Sequence, residues 1–235
     1  MFHLRMREQN QMDTAMVLDL RTSRTITSSI LYSQVPVVAV GLFADSEGVP
    51  SLVAVKHWDS NRVWLYDLKI YPSLMFEGDL ARLLSTPEVR KVVHNARTTS
   101  RQLERIFNVK MRNTFDMQLA FDLLREEQNM PKRQASIEEL ESYLEPGKNF
   151  SQLCPNDVSE TNIPDFWRRR PLSKALQTLA GRLVFSLVPN LYQAIIRELS
   201  PDTVYLLDNF TDDNIYQVLS QNKSERQNQQ QYRRW

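Results

Sequence analysis

The apolar positions change their period along the chain, and each change marks an element. Val37 to Ala44, just after Pro36, is an almost continuous apolar run, which predicts a strand buried on both faces. Asp45-Ser46-Glu47-Gly48 has turn composition. Ser51 to Val55 predicts the next strand, Asp59-Ser60-Asn61 a second turn, and the alternation over Arg62 to Leu68 a third strand. Three strands joined by tight turns predict an antiparallel meander. Leu80, Leu83 and Leu84 then mark a short helix over Asp79 to Leu84.

The stretch Arg90 to Ala120 compresses four elements. Lys91 to Val93 reads as a short buried strand. Leu103, Ile106 and Phe107 are spaced three and four apart, one face of a helix. Asn108 ends that helix, because Asn tolerates the left-handed conformation found at helix ends. A second short strand follows, and Asn113-Thr114-Phe115-Asp116 opens a helix carrying Met117, Ala120, Leu123 and Leu124 on one face. A strand–helix–strand unit this compact predicts an α/β domain.

Residues 125–135 are polar, contain Pro131 and read as a loop. Ser136 with Glu139 three residues later is a capping box that starts a helix to Leu144, stopped by Glu145-Pro146-Gly147. Residues 148–165 read as an irregular connection. Leu176, Leu179, Ala180, Leu183, Val184 and Leu187 predict the longest helix, and Pro189 predicts a break near Val188. Leu191, Ile195 and Leu199 continue the stripe, and Ser200-Pro201 starts another helical turn. Residues 1–18 read as frayed, 19–33 as a helix, and the chain from Gln221 as disordered. The resulting division is an N-terminal extension (1–34), a main domain (35–200), a C-terminal helical extension (201–220) and a tail (221–235).

Composition narrows the chemistry. The 235 residues have a formal net charge of +1, so nucleic-acid binding must come from local patches. The single cysteine, Cys154, excludes an intrachain disulfide and a cysteine-based zinc site. His3, His57 and His94 lack metal-ligand spacing. No apolar run reaches the about 20 residues needed to span a membrane, and the N-terminus lacks a signal-peptide core. The expectation is an intracellular, reducing compartment without a membrane.

Two groups of residues are candidates for binding. Arg97, Arg101 and Arg105 lie four apart on one side of a helix. They form either a solvated charged face or a set of phosphate contacts. Trp167, Arg168, Arg169 and Arg170 suit single-stranded RNA through stacking and charge; the alternative is a helix-leading loop with a buried Trp. His94 reads as a hydrogen-bonded strand-end histidine, and Asp116 as a capping acid at a helix start.

The wording "K-V-V-H-N-A-R" from Lys91 and "N-T-F-D-M-Q-L-A" from Asn113 resembles the second motif region of the DEDD 3′–5′ exonuclease family, in its RNase D-like branch. "R-P-L-S" at Arg170 to Ser173, with the later Pro189, resembles the third. The resemblance covers about residues 35–200. It implies a ribonuclease H-like α/β fold, a mixed sheet starting with a three-stranded antiparallel meander and flanked by helices. In that family four carboxylates hold two divalent metals around the scissile phosphate, and a Tyr positions the attacking water. Here Thr99, five residues after His94, stands where the second motif has Asp. Leu179 and Leu183 stand where the third has Tyr and Asp. Counting back from the third strand puts Val40 and Leu42 at the first-motif positions. The other register uses Asp45 and Glu47.

Within the family the pattern resembles an inactive branch of the piRNA pathway. It implies an RNA-binding adaptor in piRNA biogenesis and RNA-mediated gene silencing, with no catalytic residue, metal or cofactor. It also implies a single-stranded RNA ligand, a homodimer, a Tudor-domain partner, and a cytoplasmic place in germ granules of the germline. Two other readings stand beside it. One is an active metal-dependent 3′–5′ exonuclease using Asp45 and Glu47, with Asp116 or Asp122 as replacement ligands. The other is a protein–protein scaffold whose Leu179/Leu183 face serves dimerisation.

Overall fold

The computed structural model describes residues 12–147, 161 and 163–208. Strands β1 (Asp13–Val17), β2 (Val37–Ala44), β3 (Pro50–His57), β4 (Arg62–Asp67), β5 (Arg90–Val93) and β6 (Thr114–Asp116) form one mixed sheet in the order β1-β4-β3-β2-β5-β6. β2, β3 and β4 make the expected antiparallel meander. β1 runs parallel to β4 at one edge, and β5 and β6 extend the other edge parallel to β2.

Because side chains alternate along a strand, the sheet builds a core on each face. Ala39, Phe43, Leu52, Ala54 and Leu65 point into one core, which α4 (Met117–Glu127), α5 (Ile137–Leu144), α6 (Lys174–Phe185) and α7 (Tyr192–Glu198) cover. Val38, Val40, Val53 and Val55 point into the other, under α1 (Leu20–Leu31), α2 (Leu80–Ser85) and α3 (Ala96–Phe107). The central strands are therefore apolar on both faces, which is why they read as continuous runs and not as alternation.

The helix ends follow their local chemistry. Asn108 ends α3 at φ +54, its N–H donating back to the carbonyls of Glu104 and Leu103. Ser136 and Glu139 form the reciprocal capping box of α5. The long C-terminal stripe breaks at Val188, which is extended at φ −132 and ψ 140. The following proline disfavours helical backbone at that residue and supplies no N–H. The Val188 carbonyl instead accepts a hydrogen bond from the Lys56 ammonium at 2.7 Å. Lys56 is buried on β3, and that burial lowers its pKa to about 8 against the opposing charge of Asp59.

Two expectations change. Residues 1–18 are not frayed throughout, since Asp13–Val17 is the edge strand β1 and Arg62 pairs with Asp13 at 2.6 Å. α6 approaches this strand so closely that a Cβ on Gly181 would fall 2.5 Å from Thr14 Cγ2. α4 continues to Glu127, past the expected start of the loop at 125. As expected, no clear membrane span emerges among the described residues: the segment Lys174–Glu198 passes for one by length and composition alone, and half of its apolar window is buried inside the fold. A helix does follow Ser200-Pro201, described over 201–208, and Arg90 ties it to β5 through Asp208 at 2.7 Å. Most of the irregular connection expected at 148–165, the rest of the helical extension and the expected tail lie outside the described residues.

Candidate functional site

The frame of the site is built where β5 and β6 run into their helices. His94 closes β5, and its Nε2 lies 2.9 Å from the Ala135 carbonyl. Asn95 caps α3, accepting the Thr98 N–H at 3.2 Å. Asp116 caps α4 and reaches across to α3. Its Oδ1 accepts from the N–H groups of Gln118 (2.9 Å) and Asn95 (3.1 Å), and its Oδ2 from that of Ala96 (2.8 Å). Burial pushes the Asp116 carboxyl up, opposed by these backbone hydrogen bonds. Gln118 extends the frame, accepting from Ala135 N and donating to the Arg133 carbonyl.

The positions to which the resemblance assigns the metal ligands are placed as follows. Val40 and Leu42 pack into the core on the α3 side of the sheet. Gly41 and Phe43 face the α6 side, where a Cβ on Gly41 would fall 2.5 Å from Val184 Cγ2. Neither face of β2 near its end therefore presents a side-chain oxygen. Thr99 is buried on α3 and donates its hydroxyl to the Asn95 carbonyl at 3.3 Å. Leu179 and Leu183 pack against the core beneath α6. Magnesium requires oxygen ligands; Val40, Leu42, Leu179 and Leu183 offer none, and Thr99 offers only a neutral hydroxyl. Among the described residues no group of three His, Cys, Asp or Glu is placed to hold a metal ion.

Asp45 and Glu47 belong to the β2–β3 hairpin turn. Asp45 Oδ1 accepts from the N–H groups of Glu47 (3.0 Å) and Val49 (2.8 Å), and Oδ2 lies 3.4 Å from Arg168. The Ser46 N–H donates to Asp165 at 2.8 Å. Gly48 turns the chain at φ +71, a conformation glycine adopts without strain. Asp45 therefore folds its own turn. Of the other two acids considered as replacement ligands, Asp116 is committed to the frame and Asp122 accepts from Gln118.

The two basic groups part company. Arg97, Arg101 and Arg105 are exposed on α3 and face the hairpin turn across a pocket of about 320 Å³. Arg105 Nη2 donates to the Glu47 carbonyl at 2.6 Å, linking helix and turn. Thr98 and Gln102 lie between the arginines in the pocket wall.

The second group is not a surface patch. Trp167 is buried, its ring 4.5 Å from Phe43 and 4.8 Å from Phe166. Arg170 forks onto the buried Asp67 carboxylate, with Nη2–Oδ1 at 2.7 Å, and also donates to the carbonyls of Ser51 and Trp167. Trp167 and Arg170 are thus core and ion-pair residues, which leaves only Arg168 and Arg169 of that group exposed. The sequence reading missed Ser46, Gly48, Thr98 and Gln102 as pocket residues. Thr98 and Gln102 each follow an arginine of the stripe, a signal that was available. The approach of the turn to α3 joins segments about fifty residues apart and leaves no local pattern.

Comparison with known proteins agrees with this architecture. A family model described as 3′–5′ exonuclease matches residues 54–177, more than half of the chain. The piRNA biogenesis protein EXD1 of Danio rerio is 28% identical over 153 residues, covering 63% of this chain and 40% of that protein. Its Homo sapiens namesake is 27% identical over 155 residues, covering 63% and 30%. The chain thus spans well under half the length of these relatives. Among solved structures, Trypanosoma brucei RNase D in complex with RNA U12 superposes with a TM-score of 0.67 at 17% identity, covering 88% of this chain and 70% of that one. The chain belongs to the DEDD 3′–5′ exonuclease family and has the ribonuclease H-like fold of its RNase D-like branch.

Proposed function

We propose that the chain is a catalytically inactive 3′–5′ exonuclease-like domain that binds single-stranded RNA and acts as an adaptor in piRNA biogenesis. The observation that carries this reading is the chemistry at the family's ligand positions. Leucine, valine and threonine side chains stand at Val40, Leu42, Thr99, Leu179 and Leu183, and the alternative acid Asp45 is bound to its own turn. The frame that positions α3 and α4 is kept. A retained frame without metal ligands suits recognition of RNA without its hydrolysis.

Binding falls to the arginines of α3. Guanidinium groups pair phosphate oxygens two at a time and stay charged at any physiological pH. Arg97, Arg101 and Arg105 present three of them on successive turns. Arg168 lies beside the same hairpin, 3.4 Å from Asp45, and exposed Arg169 follows it in sequence. The relatives' name supports the pathway, and the homodimer, the Tudor-domain partner and the germ-granule location are proposed with it.

The test is a titration of the full chain with a single-stranded RNA at several salt concentrations. Three phosphate contacts predict a log–log salt slope of about −2. Charge reversal at Arg97 and Arg101 together should flatten it to about −0.7 and weaken binding at least about tenfold. An affinity and slope unchanged by the reversal would contradict the reading.

A further inference from the structure

We infer that the pocket between the Ser46–Gly48 turn and α3 receives the terminal phosphate monoester of an RNA strand. The inference rests on the RNA-binding reading and narrows it to one end of the ligand.

A basic stripe open at both ends would track a backbone without regard to its terminus. Four residues of helix advance about 6 Å, so Arg97, Arg101 and Arg105 form a short ladder of that kind. This ladder is closed at one end. Arg105 reaches from α3 to the hairpin, its Nη2 held 2.6 Å from the Glu47 carbonyl. Gly48 permits the approach, because a Cβ there would fall 2.9 Å from the same nitrogen. A strand entering beside Arg97 meets this bridge and must stop.

Charge also favours an end. Three arginines and a single acidic residue, Glu47, are among the residues that line the pocket. Among the described residues Arg97 has no ion-pair partner. A phosphate monoester carries a charge of about −1.5 to −2 at neutral pH and three strong acceptor oxygens; an internal diester carries a single charge. The volume of about 320 Å³ is at the small end for ligand pockets, suited to one terminal phosphate and its sugar. The amides of the turn are already engaged, Ser46 with Asp165 and Glu47 and Val49 with Asp45. Recognition therefore rests on side chains, where substitution reads it directly.

The test compares three short RNAs of one sequence, with a 5′-phosphate, a 3′-phosphate, or hydroxyls at both ends, binding to the full chain. One phosphorylated RNA should bind about tenfold tighter than the hydroxyl-ended one, as expected for added charge-assisted hydrogen bonds. The arm that gains identifies the end. In Arg97→Gln/Arg101→Gln the ratio should fall to about one, and in Glu47→Gln it should rise, since a like charge leaves the pocket. Arg105 is left intact because it ties the hairpin to α3, and an unchanged melting profile checks that the variants fold. Equal affinity for all three RNAs overturns the inference and leaves RNA binding standing. A preference that persists in the double variant also overturns it. Failure of any RNA to bind overturns both.

Discussion

The Asp116 carboxylate accepts the backbone N–H of Ala96 at 2.8 Å and so fastens the start of α3 to the start of α4. The acid is not free for metal chemistry: it already serves the N–H groups of Asn95, Ala96 and Gln118. Asp116→Ala would leave these buried donors without a partner. It should cost about 2–4 kcal/mol in urea denaturation, and Asp116→Asn, which keeps one acceptor oxygen, roughly half as much.

Arg170 separates a structural role from an RNA-binding one. Its fork holds Asp67, whose carboxylate also accepts from the N–H groups of Lys69 and Ile70. Arg170→Ala would strand a buried charge and should destabilise the fold by about 3 kcal/mol or more. RNA affinity, measured below the lowered melting temperature, should stay within about twofold of the parent, because the residue makes no part of the α3 pocket. A large loss of affinity in a fully folded variant would return Arg170 to the interface.

Gly41 reports how tightly α6 closes on β2. Gly41→Ala places a Cβ 2.5 Å from Val184 Cγ2 and should destabilise by about 1–3 kcal/mol. Val184→Ala removes the obstructing methyl groups, so a double-mutant cycle should show favourable coupling between the two changes. Additive losses would mean that the contact is relieved elsewhere.

Lys56 makes stability depend on alkaline pH. Its pKa is lowered by burial from 10.5 to about 8. Between these values the unfolded chain holds a proton that the folded chain has released, so stability rises with pH across the window. The lysine's contribution is lost as pH falls through about 8. The gain from pH 8 to pH 10 should be roughly 1–3 kcal/mol. Because other lysines and tyrosines titrate there too, the measurement is the difference in pH slope between the parent and Lys56→Met. Identical slopes would contradict the assignment.

What the sequence disclosed and what it hid divide by range. The meander, the Asn108 helix end, the Ser136–Glu139 box and the Val188 break depend on residues a few positions apart, so periodicity and capping chemistry revealed them. β1 was hidden because five residues of mixed polarity become a strand only by pairing with β4, some fifty positions later. Trp167 and Arg170 look like a basic–aromatic patch when read locally. Their partners, Phe43 and Asp67, are more than a hundred residues away, and these decide that both face inward. The α3 stripe was legible as a row of arginines, but its pocket exists only because the hairpin arrives opposite.

The proposed inactivity requires that the chain bind RNA and leave it intact even when divalent metal is supplied. The most direct test is a time course of 5′-labelled single-stranded RNA incubated with the full chain and Mn²⁺ or Mg²⁺, under conditions where binding is saturated. The predicted result is bound RNA of unchanged length. A ladder of products shortened from the 3′ end, lost on Asp45→Ala/Glu47→Ala, would contradict it.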